Sequence, residues 1–137
     1  VLHRDIPILG ICVGMQIMAN SSEEGKLPGL GWIDAKVKKF IDVKDQGGEK
    51  LPLPHMGWNE IVPCADHKLF LDLYNPLFYF LHSYYFAPDN DDQVLATSEY
   101  GKKFASMAAN KNIIGVQFHP EKSHDAGTQM LLNFAKF

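Results

Sequence analysis

Ile6-Pro7-Ile8-Leu9-Gly10-Ile11-Cys12-Val13-Gly14-Met15-Gln16 is the stretch whose reading decides the fold. Its apolar start reads as a buried strand over 6–11. Residues 13–20, with Met15, Ile17 and Met18 among the apolar positions, read as a helix. Between them Gly10-x-Cys12-x-Gly14 has the form of a strand–elbow–helix turn that presents a nucleophile. Such a turn forces its central residue into a strained conformation, and small flanking residues let the chain bend that sharply. The Cys12 thiol is then expected at the head of a helix. There the macrodipole and free N–H groups favour a thiolate, and the same N–H groups can receive an oxyanion.

A second apolar run, far downstream, also ends in chemistry: Ile113-Ile114-Gly115-Val116-Gln117-Phe118-His119-Pro120-Glu121. A residue and its second neighbour on an extended segment point the same way. Pro120 fixes its own φ and biases His119 toward an extended conformation. Imidazole and carboxylate can then be held together, with Glu121 orienting His119 and His119 serving as base for Cys12. On the residues alone, a cysteine hydrolase or peptidase of α/β type fits this set as well as any other acyl-transfer enzyme.

The rest of the chain bounds the answer. Its 137 residues suit one domain spanning 1–137. A net charge of −3 gives no reason to expect nucleic acid or an anionic membrane as partner. No apolar run approaches the ~20 residues of a membrane-spanning helix. The two cysteines, Cys12 and Cys64, come without a secretory context, which favours a reducing cytoplasmic setting. Cys64 reads as structural or incidental. His3, His67 and His124 read as surface residues, and His55 and His82 as packing or binding groups. No zinc-ligand spacing and no phosphate loop occurs, so neither metal nor cofactor is expected. Strands are expected within 32–43, 55–61, 78–86, 94–100, 104–110 and 113–118. A short helical turn is expected within 66–73 and an amphipathic helix over 125–137. Ser21 to Gly25 reads as a helix stop or cap.

Three motifs together are specific: Gly10-Ile11-Cys12-Val13-Gly14-Met15-Gln16, His82-Ser83-Tyr84 and Gln117-Phe118-His119-Pro120-Glu121. They resemble the class I (triad) glutamine amidotransferases. Pro54-His55-Met56-Gly57-Trp58-Asn59, the 78–85 aromatic run and His119-Pro120-Glu121-Lys122-Ser123 narrow the likeness to one branch, the glutaminase subunits of imidazole glycerol phosphate synthase. The resemblance runs from about Pro7 to Phe137. It implies an α/β, flavodoxin-like mixed sheet with flanking helices.

It further implies that Cys12 attacks the side-chain amide of glutamine, that His119 is base and then acid, and that Glu121 orients His119. The Val13 N–H is implied as an oxyanion donor. Gln16, Glu24, Ser83 and Tyr84 match positions holding the amino-acid end of glutamine. Trp58, Asn59, Tyr79 and Lys122 match positions facing a (β/α)8-barrel cyclase subunit that receives the ammonia in histidine biosynthesis. Relatives serving amidino-sugar formation in surface polysaccharides, or an inactive partner-binding fragment, remain alternatives. Family members carry more of the domain ahead of the position of Val1, including strands of the sheet and a Gly-rich loop that completes the oxyanion hole. The chain is therefore expected to lack N-terminal strands and to be weak or inactive by itself.

Overall fold

The computed structural model describes residues 2, 4–74 and 76–137; His3 lies outside them. Strand β1 (Ile8–Ile11) follows a short lead-in and runs parallel to β10 (Ile113–Val116), with Gly10 opposite Gly115. All four residues of β10 are buried, which is what a continuous Ile-Ile-Gly-Val run in a sheet interior requires. β10 pairs antiparallel with β9 (Lys103–Asn110), and β9 is the hub of the sheet. It also pairs with β8 (Val94–Glu99) and with β7 (Tyr84–Pro88). Beyond β7 come β3 (Ala35–Lys39) and β2 (Ser21–Ser22), while β5 (Val62–Pro63) adds to β8.

The result is an eight-stranded mixed sheet in which only β1–β10 and β2–β3 are parallel. A separate antiparallel pair, β4 (His55–Glu60) and β6 (Leu77–His82), stands beside it. Among the described residues two α-helices flank these sheets, α1 (Val13–Gln16) and α2 (His124–Phe134). The class expectation of a mixed sheet with flanking helices therefore holds, with few helices. Among the described residues no helix is long and apolar enough to cross a membrane.

Several local expectations are corrected. The helix expected over 13–20 ends at Gln16. The carbonyls that would continue it are taken by a returning loop: Ile17 by the Leu30 N–H, Ala19 by Gly31, and Met18 by Trp32 and Ile33. Ser21-Ser22 is neither stop nor cap but β2, beside β3. The 78–86 aromatic run is two strands broken at Ser83. Here the His82 ring bonds the Tyr84 carbonyl two residues on, a local side-chain bond that competes with the ladder and bends the chain. One run thus serves two sheets. His67 is half-buried rather than superficial: its Nδ1 accepts from Leu69 N–H, and its ring stacks on Phe137.

The core falls on both faces of the large sheet. Phe40, Phe78, Phe80, Phe104, Phe118, Met107 and Met130 pack under α2 and the β4–β6 pair. Met15, Met18, Ile33, Val37, Phe86 and Ile113 pack under α1. Gly115 makes the second contact possible, because a Cβ there would meet Met15 Cγ at 2.5 Å.

Candidate active site

Cys12 leaves β1 with φ 52° and ψ −108°, a conformation that L-residues rarely adopt. The backbone around it holds it there. Its N–H donates to Val116 O at 2.8 Å, and its carbonyl accepts from Met15 N at 3.0 Å and Gln16 N at 3.1 Å. Of the two flanking glycines, Gly10 is sterically required, since a Cβ there would stand 2.5 Å from Gly14 O. Gly14 faces open space.

The expected elbow is therefore present, but its electrostatics differ from expectation. The thiol pKa is raised, first by burial and then by the negative charges of Glu121 and Glu24. The Val13 N–H and the Gln117 side chain pull it the other way without prevailing. A four-residue helix carries too few aligned peptides to reverse this. Cys12 is thus favoured as a thiol, and a role as nucleophile would call for a base.

The base is nearby. β10 ends at Val116, and three residues on, the His119 N–H donates to Tyr79 O at 2.9 Å. His119 is extended, with φ −104° and ψ 93°, as Pro120 demands. Pro120–Lys122 then forms a single 3-10 turn, so Glu121 reaches back through a turn and not along an extended segment. Its Oε1 lies 2.6 Å from His119 Nδ1. Ser123 pins the turn from behind, its Oγ donating to His119 O at 2.6 Å and accepting from Tyr79 N at 2.9 Å. With Nδ1 on the carboxylate, Nε2 is the nitrogen free to take a proton. No hydrogen bond joins the Cys12 and His119 side chains; Sγ contacts Leu81 O at 3.9 Å and Gln117 Nε2 at 3.7 Å.

Gln117 was quoted in the motif without a role, and the structure gives it one. It is fully buried, donates to Cys12 Sγ, and accepts from Gln16 Nε2 at 3.0 Å. The other Gln16 N–H goes to Tyr84 O at 3.1 Å. A polar residue inside an otherwise apolar run was the available signal.

A cavity of about 480 Å3 opens on the Val13 side of the elbow, lined by Val13, Gln16, Ser22, Glu24, Leu27 and Leu30 among others. Gln16 and Glu24 thus reach one cavity. Ser83 and Tyr84 are not among its lining residues, and Tyr84 reaches Gln16 through its carbonyl.

Of the residues expected at a partner surface, three come together on the outer face of β4–β6. Trp58 meets Tyr79 edge-on at 6.1 Å, and Lys122 Nζ stands 6.0 Å over the Tyr79 ring. His124 stacks on Trp58 at 5.1 Å. Asn59 does not join them, because alternation along β4 turns its side chain to the inner face, toward His55.

An elbow cysteine, an imidazole–carboxylate pair and a mixed sheet with few helices are the features of a cysteine-dependent acyl-transfer domain of α/β type. The sequence matches the family Glutamine amidotransferase class-I over residues 1–136, and the chain belongs to that family. It is 53% identical over 136 residues to the imidazole glycerol phosphate synthase subunit HisH of Leptospira interrogans, covering 98% of this chain and 66% of that one. To the subunit of the same name from Bdellovibrio bacteriovorus it is 51% identical, covering 96% and 64%. The chain thus spans slightly less than two thirds of the length of these relatives. Among solved structures, a glutamine amidotransferase from Thermotoga maritima aligns with TM-score 0.61 at 20% identity, covering 98% of this chain and 49% of that one. PurLQS from the same organism aligns with TM-score 0.69 at 14% identity, covering 98% and 63%. These two likenesses speak for the fold.

Proposed function

We propose that this chain carries the glutaminase chemistry of an imidazole glycerol phosphate synthase, releasing ammonia from glutamine for a (β/α)8-barrel cyclase subunit in histidine biosynthesis. The observation that carries the proposal is Cys12 on its positive-φ elbow together with the His119–Glu121 pair at 2.6 Å. The relatives named HisH, at about half identity, favour this acceptor over others.

In the proposed reaction glutamine enters the cavity beside Val13 with its amino-acid end toward Gln16 and Glu24. His119 Nε2 takes the thiol proton as Sγ attacks the amide carbon, and the Val13 N–H receives the oxyanion. The tetrahedral intermediate collapses, His119 protonates the departing nitrogen, and ammonia leaves a thioester on Cys12. Water, deprotonated by His119, then releases glutamate and restores the thiol. Glu121 holds the ring in the useful tautomer and stabilises its transient charge. A raised thiol pKa fits this scheme, because the proton leaves only when base and substrate are both in place.

The outer face of β4–β6, with Met56, Trp58, Tyr79 and Leu81 exposed or half-exposed and Lys122 beside them, is the surface proposed for the cyclase. Aromatic and cationic groups of this kind anchor interfaces. The reducing cytoplasm, where a free thiol persists, is the setting that goes with this proposal.

Glutamate release from glutamine by the complete natural protein tests the proposal, with and without a cyclase barrel and its nucleotide ligand, and with Cys12→Ala as blank. Cys12-dependent release that rises when the barrel is added is expected. Release indifferent to the barrel points to another acceptor, such as amidino-sugar formation, and Cys12-independent release overturns the mechanism.

A further inference from the structure

The polar contacts behind Cys12 continue past Gln16. The Tyr84 carbonyl takes two donors, Gln16 Nε2 at 3.1 Å and His82 Nδ1 at 2.8 Å. A carbonyl only accepts, so His82 carries its proton on Nδ1. Its Nε2 is then an acceptor, and it lies 2.9 Å from His55 Nδ1. The chain can also be followed from the other end. Asn59 Oδ1 accepts from the Glu60 N–H at 2.8 Å, and Nδ2 donates to the Glu99 carbonyl at 2.8 Å, so its amide orientation is fixed. Nδ2 also stands 3.3 Å from His55 Nε2, which must therefore accept. Both ends give the same answer: each ring is neutral and protonated on Nδ1. Every bond from Asn59 to Tyr84 points the same way.

Both rings are buried and packed against aromatic side chains. His55 and His82 are 3% and 6% exposed. His55 is stacked between Phe80 and Tyr100 at 4.8 and 4.2 Å, and His82 packs against Phe40 and Phe104. A buried N–H or lone pair that loses its partner here stays unpaired.

We propose that His55 and His82 are positioning residues of the amidotransferase site, setting the Tyr84 carbonyl and, through Gln16 and Gln117, the substrate cavity and the Cys12 thiol. This rests on the glutaminase reading. The site is thereby tied to Asn59, on the strand whose opposite face carries Trp58. Tyr84 acts through its backbone, so its own side chain is not needed for the effect. His82 is the joint, because its N–H is what keeps the Tyr84 carbonyl turned toward Gln16.

The test uses the complete natural protein. His82→Phe keeps the ring volume and removes the donor; it is expected to raise KM for glutamine about tenfold or more, with a smaller change in kcat. His82→Asn places an amide N–H near the old Nδ1 position and is expected to bring KM back to within about threefold of wild type. Folded His82→Phe with unchanged KM overturns the proposal, as does a loss that Asn leaves as large as Phe does. Ring nitrogen NMR of the wild-type protein decides the matter even where His82→Phe does not fold. Both rings are expected in the Nδ1–H form at pH 7, and an Nε2–H or charged ring overturns the relay. Wild-type protein without Cys12-dependent turnover overturns the glutaminase reading itself, and with it the role for glutamine assigned here. Normal turnover with unaltered KM in His82→Phe sinks only the positioning role.

Discussion

Glu121 acts on two groups with opposite consequences, and the two can be measured separately. Its carboxylate holds His119 Nδ1 at 2.6 Å, which leaves Nε2 for the proposed role as base. The same negative charge raises the Cys12 thiol pKa, second only to burial among the raising causes. Replacing it by Gln removes the charge and keeps the shape. Glu121→Gln is therefore expected to move iodoacetamide alkylation of Cys12 to lower pH while slowing glutamine turnover by on the order of 10- to 1000-fold. The range lies below that of a buried triad carboxylate because the Glu121 side chain is 46% exposed. A Glu121→Gln protein in which thiol reactivity and turnover change in the same direction contradicts this assignment. The pairing of His119 with Glu121 was readable in the sequence, although it is made through a turn and not along the extended segment the sequence suggested. No such pairing was readable for Gln117 or for His55 and His82. Gln117 meets Gln16 across 101 positions, and His55 meets His82 across 27. A sequence gives the identities of such residues and not their pairing.

The elbow joining β1 to α1 depends on its two glycines unequally, although the motif treats them alike. A Cβ on Gly10 would strike Gly14 O and Met18 Cε at 2.5 and 2.6 Å, and at least the backbone atom cannot move without opening the turn. A Cβ on Gly14 meets nothing within 4 Å, and Gly14 sits inside α1. Gly10→Ala is expected to cost about 1–3 kcal/mol of stability. Gly14→Ala is expected to be neutral or to gain up to about 1 kcal/mol, since Ala is the better helix former. Denaturant unfolding of both variants checks this, and equal losses would mean that the turn is not packed as described. Element types were largely legible from periodicity, and element ends were not. Residues 17–20 have a helical pattern, yet the loop carrying Leu30 to Ile33 claims their carbonyls. The 78–86 run has one uninterrupted strand composition, yet the His82–Tyr84 bond divides it between two sheets. In the first place a returning loop outweighs the local propensity, and in the second a side-chain bond within the run interrupts it.

At the scale of the whole molecule, the two buried imidazoles are expected to make the fold acid-sensitive. His55 and His82 stand where the β4–β6 pair, β7 and the Phe40–Phe104 aromatic cluster meet. Burial lowers the His55 pKa from 6.5 to about 3, helped by His82. Burial likewise lowers His82 from 6.5 to about 4, opposed by its bond to Tyr84 and helped by His119. The sign follows from linkage. As pH falls through 6.5 the unfolded chain takes up protons that the folded protein refuses, so stability is full above about pH 7 and declines below it. The decline continues until the folded rings protonate, near pH 4 and then 3. Each ring approaches about 1.4 kcal/mol per pH unit inside that window, and the pair loses about 4 kcal/mol between about pH 7.5 and 5. Against the roughly 5–15 kcal/mol of a typical domain, that is a measurable fraction of the total. Guanidinium unfolding at pH 7.5 and 5.0 measures the loss, and the His55→Asn/His82→Asn double variant supplies the reference, since it has no ring to titrate at either site. Wild type is expected to lose about 4 kcal/mol more than the double variant between those pH values. Equal losses would mean that the rings take up protons in the fold as readily as in the unfolded chain. The neutral relay from Asn59 to Tyr84 could not then exist as drawn.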